Sequence, residues 1–125
     1  MFMNDKRILL IEDDKDFARL LSMQLAANGY DVAVAGDVHL AVNEATYRKP
    51  DLILLDIGLP VVDGFAVIEK LKSKPALNNV PFIVMSGRDR GITGEKAVKA
   101  GAAAYFCKPA GNTDLLLAIR KALGW

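Results

Sequence analysis

The sequence predicts one α/β domain in which five parallel strands alternate with five helices. Three observations support this fold class. Short unbroken aliphatic runs, such as residues 52–55, are typical of strands that are buried on both faces of a sheet. Between these runs, apolar residues recur every three or four positions, as they do in amphipathic helices. The two patterns alternate along the chain, which favours parallel strands joined by right-handed crossovers.

Helix-capping residues, glycines and prolines mark where these elements begin and end. Asp14 or Asp16 can cap the first helix, and Gly29 ends it. Asp37 opens the second helix. Residues 88–94 contain two glycines and alternating charges, which predicts a loop. The predicted strands cover residues 8–11, 31–35, 52–55, 81–85 and 104–107, and the predicted helices cover about residues 15–28, 37–49, 63–74, 95–100 and 112–123.

Chain length and composition exclude several classes of protein. The 125 residues fit a single domain over residues 1–125 with room for one core. A net charge of +1 gives no indication of a nucleic-acid-binding surface, and no apolar run approaches the roughly 20 residues of a membrane span. The single cysteine, Cys107, cannot form an internal disulfide, and the first residues lack the order of a signal peptide. We therefore expect a cytoplasmic location.

Polar residues of complementary chemistry follow four of the five predicted strands. Because the carboxyl ends of parallel strands lie along one edge of a sheet, we expect these residues to converge. Three crowded carboxylates repel one another, and a hard divalent cation such as Mg²⁺ removes that penalty. A hydroxyl and a lysine complete a set suited to phosphoryl transfer, in which Asp56 attacks phosphorus and forms an acyl phosphate. These residues are Glu12 and Asp13 after the first strand, Asp56 after the third, Ser86 after the fourth and Lys108 after the fifth.

Five short motifs occur in a characteristic order and spacing. They are Ile11-Glu12-Asp13-Asp14, Leu55-Asp56 with Leu59-Pro60 and Asp63-Gly64, Met85-Ser86-Gly87, Ala100-Gly101-Ala102, and Tyr105-Phe106-Cys107-Lys108-Pro109. With these motifs the chain resembles, over essentially its whole length, the receiver domain of bacterial two-component response regulators. The resemblance implies a doubly wound, flavodoxin-like sheet with the strand order 2-1-3-4-5, which the residue pattern alone leaves open.

The resemblance also implies which residues hold the metal ion. Asp56 would be the phosphoryl acceptor and one of the ligands of Mg²⁺. Asp13 would bind the ion directly, and Glu12 would bind it mostly through water. Gly58 would contribute its backbone carbonyl. Asp14, in contrast, is expected only to cap the first helix.

Further residues would act on the phosphoryl group or report its presence. The resemblance implies that Ser86 and Lys108 hold the phosphoryl oxygens and that Tyr105 changes rotamer as a switch. Tyr105 is equally consistent with a half-buried strand aromatic, because the sequence does not reveal rotamer gating. Gly58 leaves the phosphoryl group less shielded than a longer side chain would, whereas Arg88 is long enough to cover it. We therefore expect Arg88 to influence the lifetime of the phosphoryl group.

The resulting functional prediction is a phospho-accepting receiver of a two-component phosphorelay. A sensor histidine kinase or a histidine phosphotransfer protein would donate the phosphoryl group, and an unknown downstream protein would respond. The domain would perform no catalysis beyond its own phosphorylation and slow dephosphorylation. The alternative is a degenerate receiver that docks partners without being phosphorylated. A phosphatase with an aspartyl nucleophile is disfavoured, because Gly58 stands where its acid would be needed.

Overall fold

The computed structural model of the chain describes residues 6–56, 64–86, 90–107 and 112–124. Within these ranges, strands and helices alternate, beginning with a strand and ending with a helix. The strands are β1 (Arg7–Ile11), β2 (Asp31–Ala35), β3 (Leu52–Asp56), β4 (Phe82–Ser86) and β5 (Ala104–Cys107). The helices are α1 (Lys15–Ala27), α2 (Val38–Arg48), α3 (Gly64–Lys72), α4 (Arg90–Lys99) and α5 (Asn112–Leu123).

The strands form one parallel sheet in the order β2-β1-β3-β4-β5. This order confirms the doubly wound α/β fold, including the arrangement that only the resemblance had implied. The central strand β3 pairs with β1 on one side and with β4 on the other. All of the residues of β3 and β4 are buried, and each strand is apolar except for its last residue, Asp56 in β3 and Ser86 in β4.

Side chains of the sheet alternate between two hydrophobic layers, one on each face. Leu54 belongs to the layer covered by α1 and α5, whereas its neighbour Leu55 belongs to the layer covered by α2, α3 and α4. Successive strand residues point to opposite faces, so an aliphatic run fills both layers. None of the described helices has the length and apolar character needed to cross a bilayer.

Aspartates hold the first turns of two helices, as the sequence predicted. The Asp14 carboxylate accepts hydrogen bonds from the backbone N–H groups of Asp16 and Phe17, both at 3.1 Å. Of the two candidate caps, Asp14 is therefore the one used. The Asp37 carboxylate accepts from the backbone N–H of Leu40 at 2.8 Å. Each cap contributes about 1 kcal/mol to stability.

The fourth helix begins earlier than the sequence indicated. The predicted loop over residues 88–94 is wrong for residues 90–94, because α4 starts at Arg90 rather than near residue 95. A β-carbon added at Gly94 would lie 3.6 Å from Cδ2 of Tyr105, so the helix backbone packs closely over that ring. This packing against β5 outweighs the roughly 1 kcal/mol that glycine costs inside a helix.

Burial of Tyr30 makes the stability of the fold sensitive to alkaline pH. Tyr30 is 5 % exposed. Its burial raises the pKa of the phenol above the ordinary value of 10.0, and the positive charge of Arg120 opposes this only in part. The folded chain therefore keeps the phenolic proton to a higher pH than the unfolded chain, so stability falls as the pH rises above about 10.

We expect Tyr30→Phe to lose less unfolding free energy than the parent between about pH 9 and pH 11. Urea denaturation across that range measures the difference. Tyr47→Phe, which changes an exposed tyrosine in the same way, is the matched control. Parallel pH profiles for the parent and Tyr30→Phe would contradict this assignment.

Candidate metal and phosphoryl site

The register of the sheet places two acidic residues side by side at the carboxyl ends of the central strands. Ile11 of β1 pairs with Leu55 of β3, so Glu12 and Asp56 follow on adjacent strands. The backbone N–H of Glu12 donates to the carbonyl of Ala35 at 3.0 Å, which continues the β1–β2 ladder by one residue. Both acidic side chains are buried, with 1 % of Glu12 and 4 % of Asp56 exposed.

These two acids and Asp13 form a compact carboxylate cluster. Each of the three offers one oxygen, and the three oxygens lie within 4.8 Å of one another. Asp13 is exposed, so the cluster opens to solvent on its side. The backbone N–H of Asp14 donates to Oε2 of Glu12 at 3.1 Å and orients that carboxylate. The sequence had assigned Asp14 only as a helix cap, and its second role depends on backbone geometry that the residue type does not reveal.

The chemistry of the cluster fits a hard divalent cation. All three candidate ligands are carboxylate oxygens, which Mg²⁺ prefers over nitrogen or sulfur. Three like charges at this separation repel one another, and a bound cation converts that repulsion into attraction. The described part of the site therefore has the donor set that the predicted metal requires.

Ser86 lies on the next strand, one residue beyond the level of the acceptor. Asp56 pairs with Met85 of β4, and Ser86 in turn pairs with Cys107 of β5. Ser86 is fully buried, at 0 % exposed. Ser86 therefore lies at the same carboxyl edge of the sheet as the acids.

Tyr105 lies on the face of the sheet that α3 and α4 cover. It pairs with Val84, and both side chains belong to that hydrophobic layer. Ser86, two residues after Val84, points to the same face, so Ser86 and Tyr105 are diagonal neighbours on adjacent strands. Gly94 of α4 faces the Tyr105 ring, a contact that the predicted loop over residues 88–94 did not indicate.

Three of the predicted site residues lie outside the described part of the structure. They are Gly58, Arg88 and Lys108. In sequence, Lys108 directly follows Cys107, the residue of β5 that pairs with Ser86. The structure thus brings together Glu12, Asp13 and Asp56, with Ser86 on the adjoining strand.

Comparison with known proteins identifies the family. Residues 8–120 match the model of the response regulator receiver domain. The chain belongs to that family. This receiver domain is 39 % identical over 116 residues to the KDP operon transcriptional regulatory protein KdpE of Escherichia coli, covering 93 % of this chain and 50 % of KdpE.

Solved structures of receiver domains have the same fold. The signal receiver domain of a DNA-binding response regulator from Colwellia psychrerythraea superposes with a TM-score of 0.88 and 32 % identity, covering 97 % of this chain and all of that one. The receiver domain of a sensor histidine kinase from Pseudomonas aeruginosa gives a TM-score of 0.87 and 27 % identity, covering 98 % of this chain and all of that one. That structure holds a magnesium ion in its active-site cleft.

Family membership confirms the functional class predicted from sequence. The chain is a receiver domain of the two-component type, a class of generally non-enzymatic phosphoryl acceptors. Nothing in the comparisons favours the degenerate alternative. Receiver domains bind Mg²⁺ in an acidic pocket and interact with histidine kinases or phosphotransfer proteins and with downstream effectors. The chain spans about half the length of curated relatives such as KdpE.

Proposed function

We propose that this receiver domain accepts a phosphoryl group on Asp56 from a phosphohistidine of a sensor kinase or a phosphotransfer protein. The observation that supports this most directly is the position of Asp56. It is a buried carboxylate at the carboxyl end of the central strand, with Glu12 and Asp13 within 4.8 Å. Phosphorylation would change the affinity of the domain for a downstream protein, which is its signalling output.

The metal site of this proposal consists mainly of the carboxylate cluster. Asp13 and Asp56 would hold Mg²⁺ directly, Glu12 would contribute mostly through water, and Gly58 would offer its backbone carbonyl. When bound, the ion supplies positive charge that offsets the three acids and the phosphoryl oxygens. The hydrogen bond from the Asp14 N–H holds Glu12 in place from the other side.

The chain's own residues perform the transfer. A carboxylate oxygen of Asp56 forms a bond to phosphorus while the bond from phosphorus to the donor histidine nitrogen breaks, and the bonding electron pair remains on the imidazole. The Ser86 hydroxyl donates a hydrogen bond to one phosphoryl oxygen, and the Lys108 ammonium pairs with another. Because Asp56 is 4 % exposed, only a donor placed at the carboxyl edge of the sheet reaches it.

The proposed switch connects the hydroxyl to the aromatic ring beside it. Ser86 would move toward the phosphoryl dianion, and Tyr105, its diagonal neighbour, would turn inward. Since Tyr105 packs under α4 at Gly94, its rotation would change the face formed by α4, β5 and α5. The result is a population shift driven by new charge-assisted hydrogen bonds.

Two further expectations stay predictions. One is that Arg88 influences the lifetime of the phosphoryl group, and the other is that the domain is located in the cytoplasm.

The test is the dependence of an Asp56 adduct on the metal ion. With Mg²⁺ and phosphoramidate as the donor, we expect peptide mass spectrometry to find one phosphoryl group on the peptide containing Asp56. Chelation of the metal should abolish this adduct. Fluoroberyllate should likewise bind when Mg²⁺ is present. An adduct on another residue would refute the assignment. Failure to bind both Mg²⁺ and fluoroberyllate would instead support the degenerate receiver.

A further inference from the structure

A groove of about 470 Å³ lies between α3 and α4, and none of the described residues that line it belongs to the phosphoryl site. Its floor includes Ile68, which is buried, and the half-buried ring of Phe65. Charged side chains stand around this apolar floor. Among the described residues, the lining consists of Phe65, Ile68, Glu69 and Lys72 from α3, Lys96 from α4, and Ala100, which directly follows α4.

Two lysines of the groove are held in place by aromatic rings. The Lys72 ammonium lies 5.0 Å from the centroid of the Phe82 ring, and the Lys96 ammonium lies 5.9 Å from the centroid of Phe65. The Lys72 ammonium also donates to the carbonyl of Ala100 at 3.1 Å, which ties the end of α4 to α3. These contacts restrict both long side chains and so reduce the entropy that a bound ligand would have to remove.

Neither ammonium has a carboxylate partner among the residues that the structure describes. Within the described residues, no acidic oxygen lies within 4.0 Å of Nζ of Lys72 or of Lys96. Glu69 is the only acidic residue in the described part of the groove lining, and that part carries two positive charges against one negative charge. The groove is therefore complementary to an acidic ligand with an apolar part.

We propose that the α3–α4 groove docks an acidic segment of a partner protein. Carboxylates of that segment pair with Lys72 and Lys96, and an apolar side chain between them packs on Phe65 and Ile68. A peptide fits better than a small metabolite, because small-molecule sites enclose most of their ligand, whereas this groove is open along the two helices. The proposal does not depend on phosphoryl transfer to Asp56.

The test uses a short amidated peptide in which aspartate alternates with leucine around one central phenylalanine. Fluorescence anisotropy measures its affinity, and amide chemical-shift changes locate it on the domain. We expect Lys96→Glu to weaken binding about fivefold to tenfold, because an attraction becomes a repulsion. Lys99→Glu, an identical charge change on α4 outside the groove, should weaken binding less than about twofold. Asp56→Asn should bind the peptide like the parent.

A peptide with lysine in place of aspartate tests the reverse charge pairing. We expect it to bind Lys96→Glu more tightly than it binds the parent. If Lys96→Glu and Lys99→Glu lost the same amount of affinity for the acidic peptide, the effect would be explained by net charge alone, and the proposal would be overturned. Shift changes centred away from α3 and α4, or no binding of the acidic peptide, would also overturn it. Concentration-dependent shifts of the groove amides without peptide would assign the groove to a second copy of the chain instead.

Discussion

Replacing Asp56 by asparagine is expected to reduce phosphoryl labelling about 100-fold or more, to the limit of detection. The neutral amide has nearly the volume of the carboxylate, so the buried end of β3 stays filled. What is lost is the anionic oxygen that forms the bond to phosphorus. Labelling with phosphoramidate and Mg²⁺, followed by mass spectrometry, measures the change.

Asp31→Asn is the matched control for this experiment. Asp31 is exposed and begins β2, at the opposite end of the strands from the acidic cluster. We expect it to be labelled like the parent. If Asp56→Asn is labelled at the parent's rate, then another side chain is the acceptor and the proposed function is wrong.

Replacing Asp13 by asparagine should change stability in opposite directions with and without the metal. In the absence of divalent ions, the variant should be more stable than the parent, because one of three mutually repelling carboxylates is gone. At a Mg²⁺ concentration about 100 times the parent's dissociation constant, the ion should stabilise the parent by about 2.7 kcal/mol. A site weakened about tenfold would gain only about 1.4 kcal/mol under the same condition. Urea denaturation with Mg²⁺ and with a chelator measures both.

A metal ligand is distinguished from a surface charge by this reversal: the variant is more stable than the parent without the metal and less stable with it. Asp31→Asn should give the same Mg²⁺-dependent gain as the parent, since Asp31 lies outside the cluster. An Asp13→Asn variant that retained the parent's full Mg²⁺-dependent gain would remove Asp13 from the metal site.

Much of the fold follows from local patterns that tertiary structure reinforces. The aliphatic runs predicted the strands, because a strand buried on both faces carries apolar side chains up to its carboxyl end, where Asp56 and Ser86 lie. The aspartate caps were visible because their chemistry acts over three residues, although only the structure distinguishes Asp14 from Asp16. The convergence of Glu12 and Asp56 also followed, since parallel strands share an edge. The strand order came from family resemblance, because no residue pattern encodes it.

The error at α4 has a physical cause that local sequence does not contain. Gly91 and Gly94 lower the helix propensity of this segment, and the long-range contact with Tyr105 restores it. The sequence predicted a helix around Lys96 but gave no indication of the groove that this lysine lines. Its relation to Lys72 appears only when the two helices are placed side by side.

The order of the strands has a consequence for how the site matures during synthesis of the chain. The carboxylates come from β1 and β3, which pair directly with each other and precede β4 and β5 in translation. All three acids of the cluster have therefore been synthesised before Ser86 is added to the growing chain. Under the proposed function, the residues that hold the phosphoryl oxygens are therefore translated after the residues that hold the metal ion.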